Sequence, residues 1–122
     1  MPRSWLFAYG TLGPADATAA TRDGWSADAV RGRLFDLGPY PALIDLDDPE
    51  ADWVSGHVRQ TDERELVERL DPYEGVDEGL FERRETFTRS GRRVWVYVYL
   101  PCLPQWARRP LTQWSGRVVP PG

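Results

Sequence analysis

The chain has 122 residues, of which 41% are hydrophobic and 28% charged, with a formal net charge of −4. That length suits one domain with its own core, and the composition is that of a folded chain rather than a disordered one. The mildly acidic balance lacks the positive footprint of a nucleic-acid binder, and no segment approaches the length of a membrane span. With one cysteine, Cys102, and one histidine, His57, an internal disulfide is impossible and a zinc site lacks nitrogen and sulfur ligands.

Residues 5–9, Trp-Leu-Phe-Ala-Tyr, are aromatic and apolar up to Gly10 and predict a buried strand ending in a tight turn. The Ala/Thr-rich stretch 13–29 has room for a short helix. Residues 30–37 and 52–60 carry β-rich patterns. Between them, Gly38-Pro39 and Tyr40-Pro41 predict a rigid, extended loop, because proline fixes its own φ and pushes the preceding residue toward extended backbone. The clearest helix is 62–71. Asp62 and Glu65 have capping-box spacing, and Leu66, Val67, Leu70 and Tyr73 form one apolar face. Pro72 is expected to stop or kink this helix. Strands follow at 82–89 and 92–100, joined across Ser90-Gly91 by a two-residue hairpin turn. In the second strand Val94, Val96 and Val98 alternate with Trp95, Tyr97 and Tyr99, and bulk on both faces predicts a central strand. Residues 101–122, with Trp106 and Trp114, read as a tail wrapping the outside. The sum is one α+β domain over residues 1–122, a small, barrel-like curved sheet with one main helix.

Elimination narrows the chemistry. Cys102 lies between Pro101 and Leu103 and reads as a packed thiol, and His57 lies mid-strand as a structural or surface residue, so no nucleophile pair is indicated. A Walker-type phosphate loop needs a lysine, and the chain has none. Carboxylates, tyrosines and backbone groups remain. Glu74 continues the Leu66–Leu70 stripe at the helix C-terminus, where burial and the helix dipole both raise a carboxylate's pKa and suit it to act as a general base. The other reading of the same spacing has Glu74 bending out at Pro72 into solvent. The Tyr9-Gly10-Thr11-Leu12 turn can present backbone N–H groups to a carboxylate or an oxyanion, or it is turn chemistry alone. Tyr40 with Pro41, and Tyr99, are candidate pocket walls or core residues.

In order along the chain, FAYGTL (7–12), GRLFDLGPYPALI (32–44), Val54-Ser55-Gly56-His57-Val58, LDPYEG (70–75), Phe81-Glu82-Arg83 and VWVYVY (94–99) resemble the gamma-glutamylcyclotransferase-like family, in its gamma-glutamylamine cyclotransferase-like branch. The resemblance covers about residues 5–100. It implies a compact barrel-like fold with one pocket, Glu74 at the family's catalytic glutamate, and Tyr9, Gly10, Thr11, Leu12 and Tyr40 in substrate binding. It also implies conversion of a gamma-glutamyl amine or peptide to 5-oxoproline plus free amine, with no metal or other cofactor. The chain departs from the family at Phe81, where tyrosine is common, at His57, where glutamate is common, and after Leu12, where a basic residue is common. These departures bear on substrate identity. The expected partner is a small gamma-glutamyl substrate, not nucleic acid or membrane. The short apolar run at the N-terminus does not read as a signal peptide, which points to the cytoplasm, and nothing calls for more than a monomer. The alternative function is a binding or regulatory module that holds a small molecule in the same pocket without turnover.

Overall fold

The computed structural model describes residues 4–9, 23–38, 40–103 and the backbone of 108–111. Among these, seven strands form one curled half-barrel sheet: β1 (Ser4–Ala8), β2 (Ser26–Asp36), β3 (Pro41–Ile44), β4 (Asp52–Thr61), β5 (Phe81–Phe87), β6 (Arg93–Tyr99) and β7 (Arg108–Leu111). Their order is β3-β2-β4-β1-β6-β5, with β7 pairing β2. β1 runs antiparallel to β4 and parallel to β6.

Alternation explains the two-sided core. Val94, Val96 and Val98 of β6 point into the curl with Phe7, Val30, Leu34, Leu43, Val54 and Val58. Tyr97 of the same strand points the other way, into a second cluster with Leu6, Phe81, Leu66 and Leu70. β6 therefore has neighbours on both edges and both faces, as its bulky pattern predicts. β4 carries Gly56 where the Phe7 ring and the Ala8 carbonyl pass. A Cβ there would lie 2.5 Å from Phe7 Cζ and closer still to the Ala8 carbonyl oxygen, so the Val-x-Gly-x-Val glycine is a close-approach requirement.

β2 is long enough to pair twice, residues 26–32 with β4 and residues 33–36 with β3, while Leu34 and Asp36 also meet β7 across a register shift. Such an irregularity bends a strand, which helps the sheet to curl. Three expectations change here. Residues 26–29, inside the stretch given room for a helix, belong to β2, and residues 10–22 lie outside the described residues. The expected loop after Leu37 contains strand β3. Pro41 is tolerated because it opens an edge strand, where its missing N–H breaks no ladder. The C-terminal stretch contributes β7 to the sheet, and its residues 104–107 and 112–122, including Trp106 and Trp114, lie outside the described residues.

The helix among the described residues, α1, is continuous from Glu63 to Tyr73: an α turn at Glu63–Glu65, a π segment at Leu66–Leu70 and a last α turn at Asp71–Tyr73. Asp62 caps it by accepting from the Glu65 N–H at 2.8 Å. Glu65 does not reach back in the usual box; its carboxylate takes the Thr61 hydroxyl at 2.6 Å and pairs with Arg59 and Arg69. Pro72 does not stop the helix. The π register before it absorbs the missing N–H, and the Glu74 N–H bonds the Leu70 carbonyl at 2.9 Å beyond it. The extra residue in the π turn also rotates the face. Leu66 and Leu70 are buried, whereas Val67 is 48% and Tyr73 62% exposed, so the expected four-residue apolar stripe is two residues wide.

The β5–β6 hairpin closes through Arg89-Ser90-Gly91, a three-residue loop, because Thr88 N–H bonds the Arg92 carbonyl at 2.8 Å and extends the ladder past the expected two-residue turn. Cys102 is exposed, not packed, as the chain leaves the sheet beyond Tyr99.

Candidate active site

Glu74 owes its direction to the chain reversal after it. It closes α1 with φ −83° and ψ 0°, and Gly75 follows at φ +70°, a left-handed conformation open to glycine. The Gly75 N–H bonds the Pro72 carbonyl at 3.1 Å, and the Leu80 N–H returns to the Gly75 carbonyl at 3.1 Å. The reversal leaves the Glu74 side chain half-buried and facing the sheet.

Between the end of α1 and the sheet lies a cavity of about 340 Å³, walled by Glu74, Tyr9, Tyr40, Phe81 and Tyr97, with Tyr73 and Glu78 also on its boundary. Tyr40 packs edge-on against Phe81 at 5.9 Å between ring centroids. Tyr99, a candidate wall, instead sits behind Phe81 at 5.5 Å and is not part of the lining. Tyr97 takes that place. Its signal was in the sequence, since alternation puts it opposite the three core valines, but a spacing of two cannot choose between Tyr97 and Tyr99.

Among the described residues no hydrogen bond or ion pair reaches the Glu74 carboxylate, and burial pushes its pKa up from 4.5 to about 7. The two phenols that feel the Glu74 charge are occupied. The Tyr9 hydroxyl donates to the Tyr97 carbonyl at 2.5 Å and takes a backbone bond from Leu43, so it joins β1, β6 and β3. The Tyr97 hydroxyl donates to Asp71 Oδ1 at 2.6 Å. Burial first, then the neighbouring Glu74 charge for Tyr9 and the Asp71 bond for Tyr97, raise both phenols far above their ordinary range, so neither serves as a base. Asp71 in turn holds Arg83, Nε to Oδ1 at 2.9 Å.

Of the expected site residues, the fold brings Glu74, Tyr9 and Tyr40 to one cavity. Gly10, Thr11 and Leu12 lie outside the described residues. His57 sits on β4 opposite Ala8 and Ala27, and neither it nor Cys102 borders the cavity. No cluster of three His, Cys, Asp or Glu side chains able to hold a metal occurs among the described residues. Phe81, Leu80 and the Asp71–Arg83 pair are site features that the sequence reading did not assign.

Residues 6–116 match the model of a family described as gamma-glutamyl cyclotransferase, AIG2-like. The chain belongs to this family. The fold agrees with those of solved gamma-glutamyl cyclotransferase-like proteins. An AIG2-like protein from Mus musculus aligns with a TM-score of 0.61 at 19% identity, over 87% of this chain and 83% of that one. A structure named gamma-glutamyl cyclotransferase aligns at 0.52 and 14% identity, over 80% and 67%. YkqA from Bacillus subtilis aligns at 0.57 and 24% identity over 80% of this chain, which spans only 36% of that protein. No curated protein matches the sequence. Within the gamma-glutamyl cyclotransferase, AIG2-like fold, the mixed sheet and single described helix are those of the family, and no described helix is long and apolar enough to cross a membrane.

Proposed function

We propose that this protein is a gamma-glutamyl cyclotransferase that releases a free amine and 5-oxoproline from a gamma-glutamyl amine or peptide, with Glu74 moving the proton. The observation that carries the reading is the Glu74 carboxylate, half-buried in the cavity, without a described partner, and with its pKa at about 7.

The reaction suits these parts. The substrate's α-amino group is its own nucleophile, so the protein needs no serine or cysteine. Glu74 takes a proton from the α-ammonium, the nitrogen attacks the γ-carbonyl carbon and sheds its second proton as the scissile C–N bond breaks, and Glu74 returns its proton with that one to the departing amine, which leaves as an ammonium. A pKa near 7 lets one group accept and return that proton. Ring closure is mainly a problem of orientation, and Tyr40, Phe81 and Tyr97 give the cavity rigid walls that hold the substrate folded back. In this proposal, backbone N–H groups of the Tyr9–Leu12 turn hold the substrate carboxylate or the developing oxyanion.

A carboxylate used only for binding would be expected to pair with a fixed cation. No described cavity residue is basic, and Arg83 is bound to Asp71. The boundary instead carries a second carboxylate, Glu78, which favours a neutral or cationic leaving amine over an acidic peptide. The reading takes residues 1–122 as one domain acting in the cytoplasm as a monomer.

The test is 5-oxoproline release from a panel of gamma-glutamyl amines and dipeptides, with Glu74→Gln run in parallel. Release by the wild type and its loss in the variant support the reaction and the base. Ligand binding without release from any substrate would move the assignment to a binding module. Release that survives Glu74→Gln would remove Glu74 from the mechanism.

A further inference from the structure

The helix turn that carries Glu74 is intrinsically weak. Pro72 removes a helical bond, the preceding turn is π, Gly75 follows, and Leu70 is its nearest buried apolar anchor. A carboxylate on such a turn gains hydration by swinging outward, so something must hold it in. Three residues before Glu74, Asp71 accepts the Tyr97 hydroxyl at 2.6 Å and two guanidinium nitrogens of Arg83 at 2.9 and 3.3 Å. The Arg83 and Asp71 side chains are only 16% and 19% exposed. Arg83 lies over the Trp95 ring at 4.7 Å, and the Tyr97 carbonyl is fixed by Tyr9. Tyr97 has spent its one proton on Asp71, which leaves the group free of any direct proton-transfer role.

We propose that Asp71, Arg83 and the Tyr97 hydroxyl are positioning residues that staple the last turn of α1 to β5 and β6 and so hold the Glu74 carboxylate inside the cavity. The functional part of this proposal rests on Glu74 being the base. Charge-assisted, paired bonds from arginine to carboxylate are directional, and here they are shielded from water, which makes them suited to fixing an orientation. The titratable groups around the cavity with Glu74 are Tyr9 just after β1, Tyr97 from β6, Tyr40 from the β2–β3 turn, Tyr73 from the last turn of α1 and Glu78 from the 3₁₀ turn Val76–Glu78. None of them is a cation, so the proton affinity of Glu74 follows how well it is enclosed.

The experiment follows the Glu74 carboxyl carbon by NMR through a pH titration, in wild type, Tyr97→Phe and Arg83→Gln, with thermal unfolding and steady-state kinetics alongside. The staple predicts that both variants move the Glu74 midpoint down by about one pH unit. It predicts that kcat falls about tenfold or more while KM holds within about threefold. Arg83→Gln separates causes by sign: loss of a cation through space raises a carboxylate's pKa, whereas release of the helix end lowers it. Midpoints that stay put or rise in folded variants overturn the proposal. If Arg83→Gln does not fold, Tyr97→Phe, which removes one hydroxyl and no charge, decides alone. Wild-type protein that titrates as described, shifts in the variants and yet releases no 5-oxoproline would sink the enzyme reading and leave the staple standing.

Discussion

If Glu74 is the proposed base, one ionisation couples function to stability. Its folded pKa of about 7 lies above the ordinary 4.5, so the folded state holds its proton more tightly than the unfolded state. Its contribution to stability is therefore fully present below about pH 4.5 and is lost as pH rises through about 7, at a cost on the order of 3 kcal/mol above that. Glu74→Gln removes the cost. The variant should melt higher than wild type above pH 7, with the gap closing toward pH 4.5, as thermal scans at several pH values would read. A gap that does not vary with pH would mean the carboxylate is solvated. On the proposed mechanism the same group governs the rate: kcat/KM should rise with pH to a plateau beginning at about 7, and Glu74→Gln should lower kcat by about 100-fold or more. The sequence put Glu74 on the right stripe but left two readings, because spacing cannot tell whether a chain turns in or out after Pro72. The left-handed Gly75 and the π turn decide that.

At the scale of elements, α1 and the β4 strand show how motif residues earn their places by packing. Asp62→Ala should cost about 1 kcal/mol of stability by uncapping α1 far from the cavity, and should leave KM unchanged. Gly56→Ala introduces a Cβ against the Phe7 ring and the Ala8 backbone at the β1–β4 crossing. It should destabilise by about 1–3 kcal/mol in urea unfolding, and no loss would mean that β1 can shift freely. Existence and type were legible for β1, β4, β5, β6 and α1, because each has a strong period or a strong cap. β3 was not legible, since two Gly/Pro and Tyr/Pro pairs look like a loop until β2 is beside them.

Across the whole molecule, the curl brings β3 close to β6, and the Tyr9 hydroxyl joins them by taking a bond from Leu43 and giving one to the Tyr97 carbonyl. Tyr9→Phe should leave both backbone groups without that partner and cost about 1–3 kcal/mol, measured by chemical unfolding. An unchanged midpoint would show that the seam does not depend on the phenol. By itself, the sequence determined the α+β class, the absence of lysine and of a disulfide, the two-faced β6 and the ordered motifs, because composition and period are local properties. The tertiary structure alone decided which tyrosine faces the cavity, that Asp71 is shared by Arg83 and Tyr97, and that Glu74 turns inward. Those depend on residues far apart in the chain meeting across a curved sheet, where burial, not sequence neighbours, sets the charge of a carboxylate.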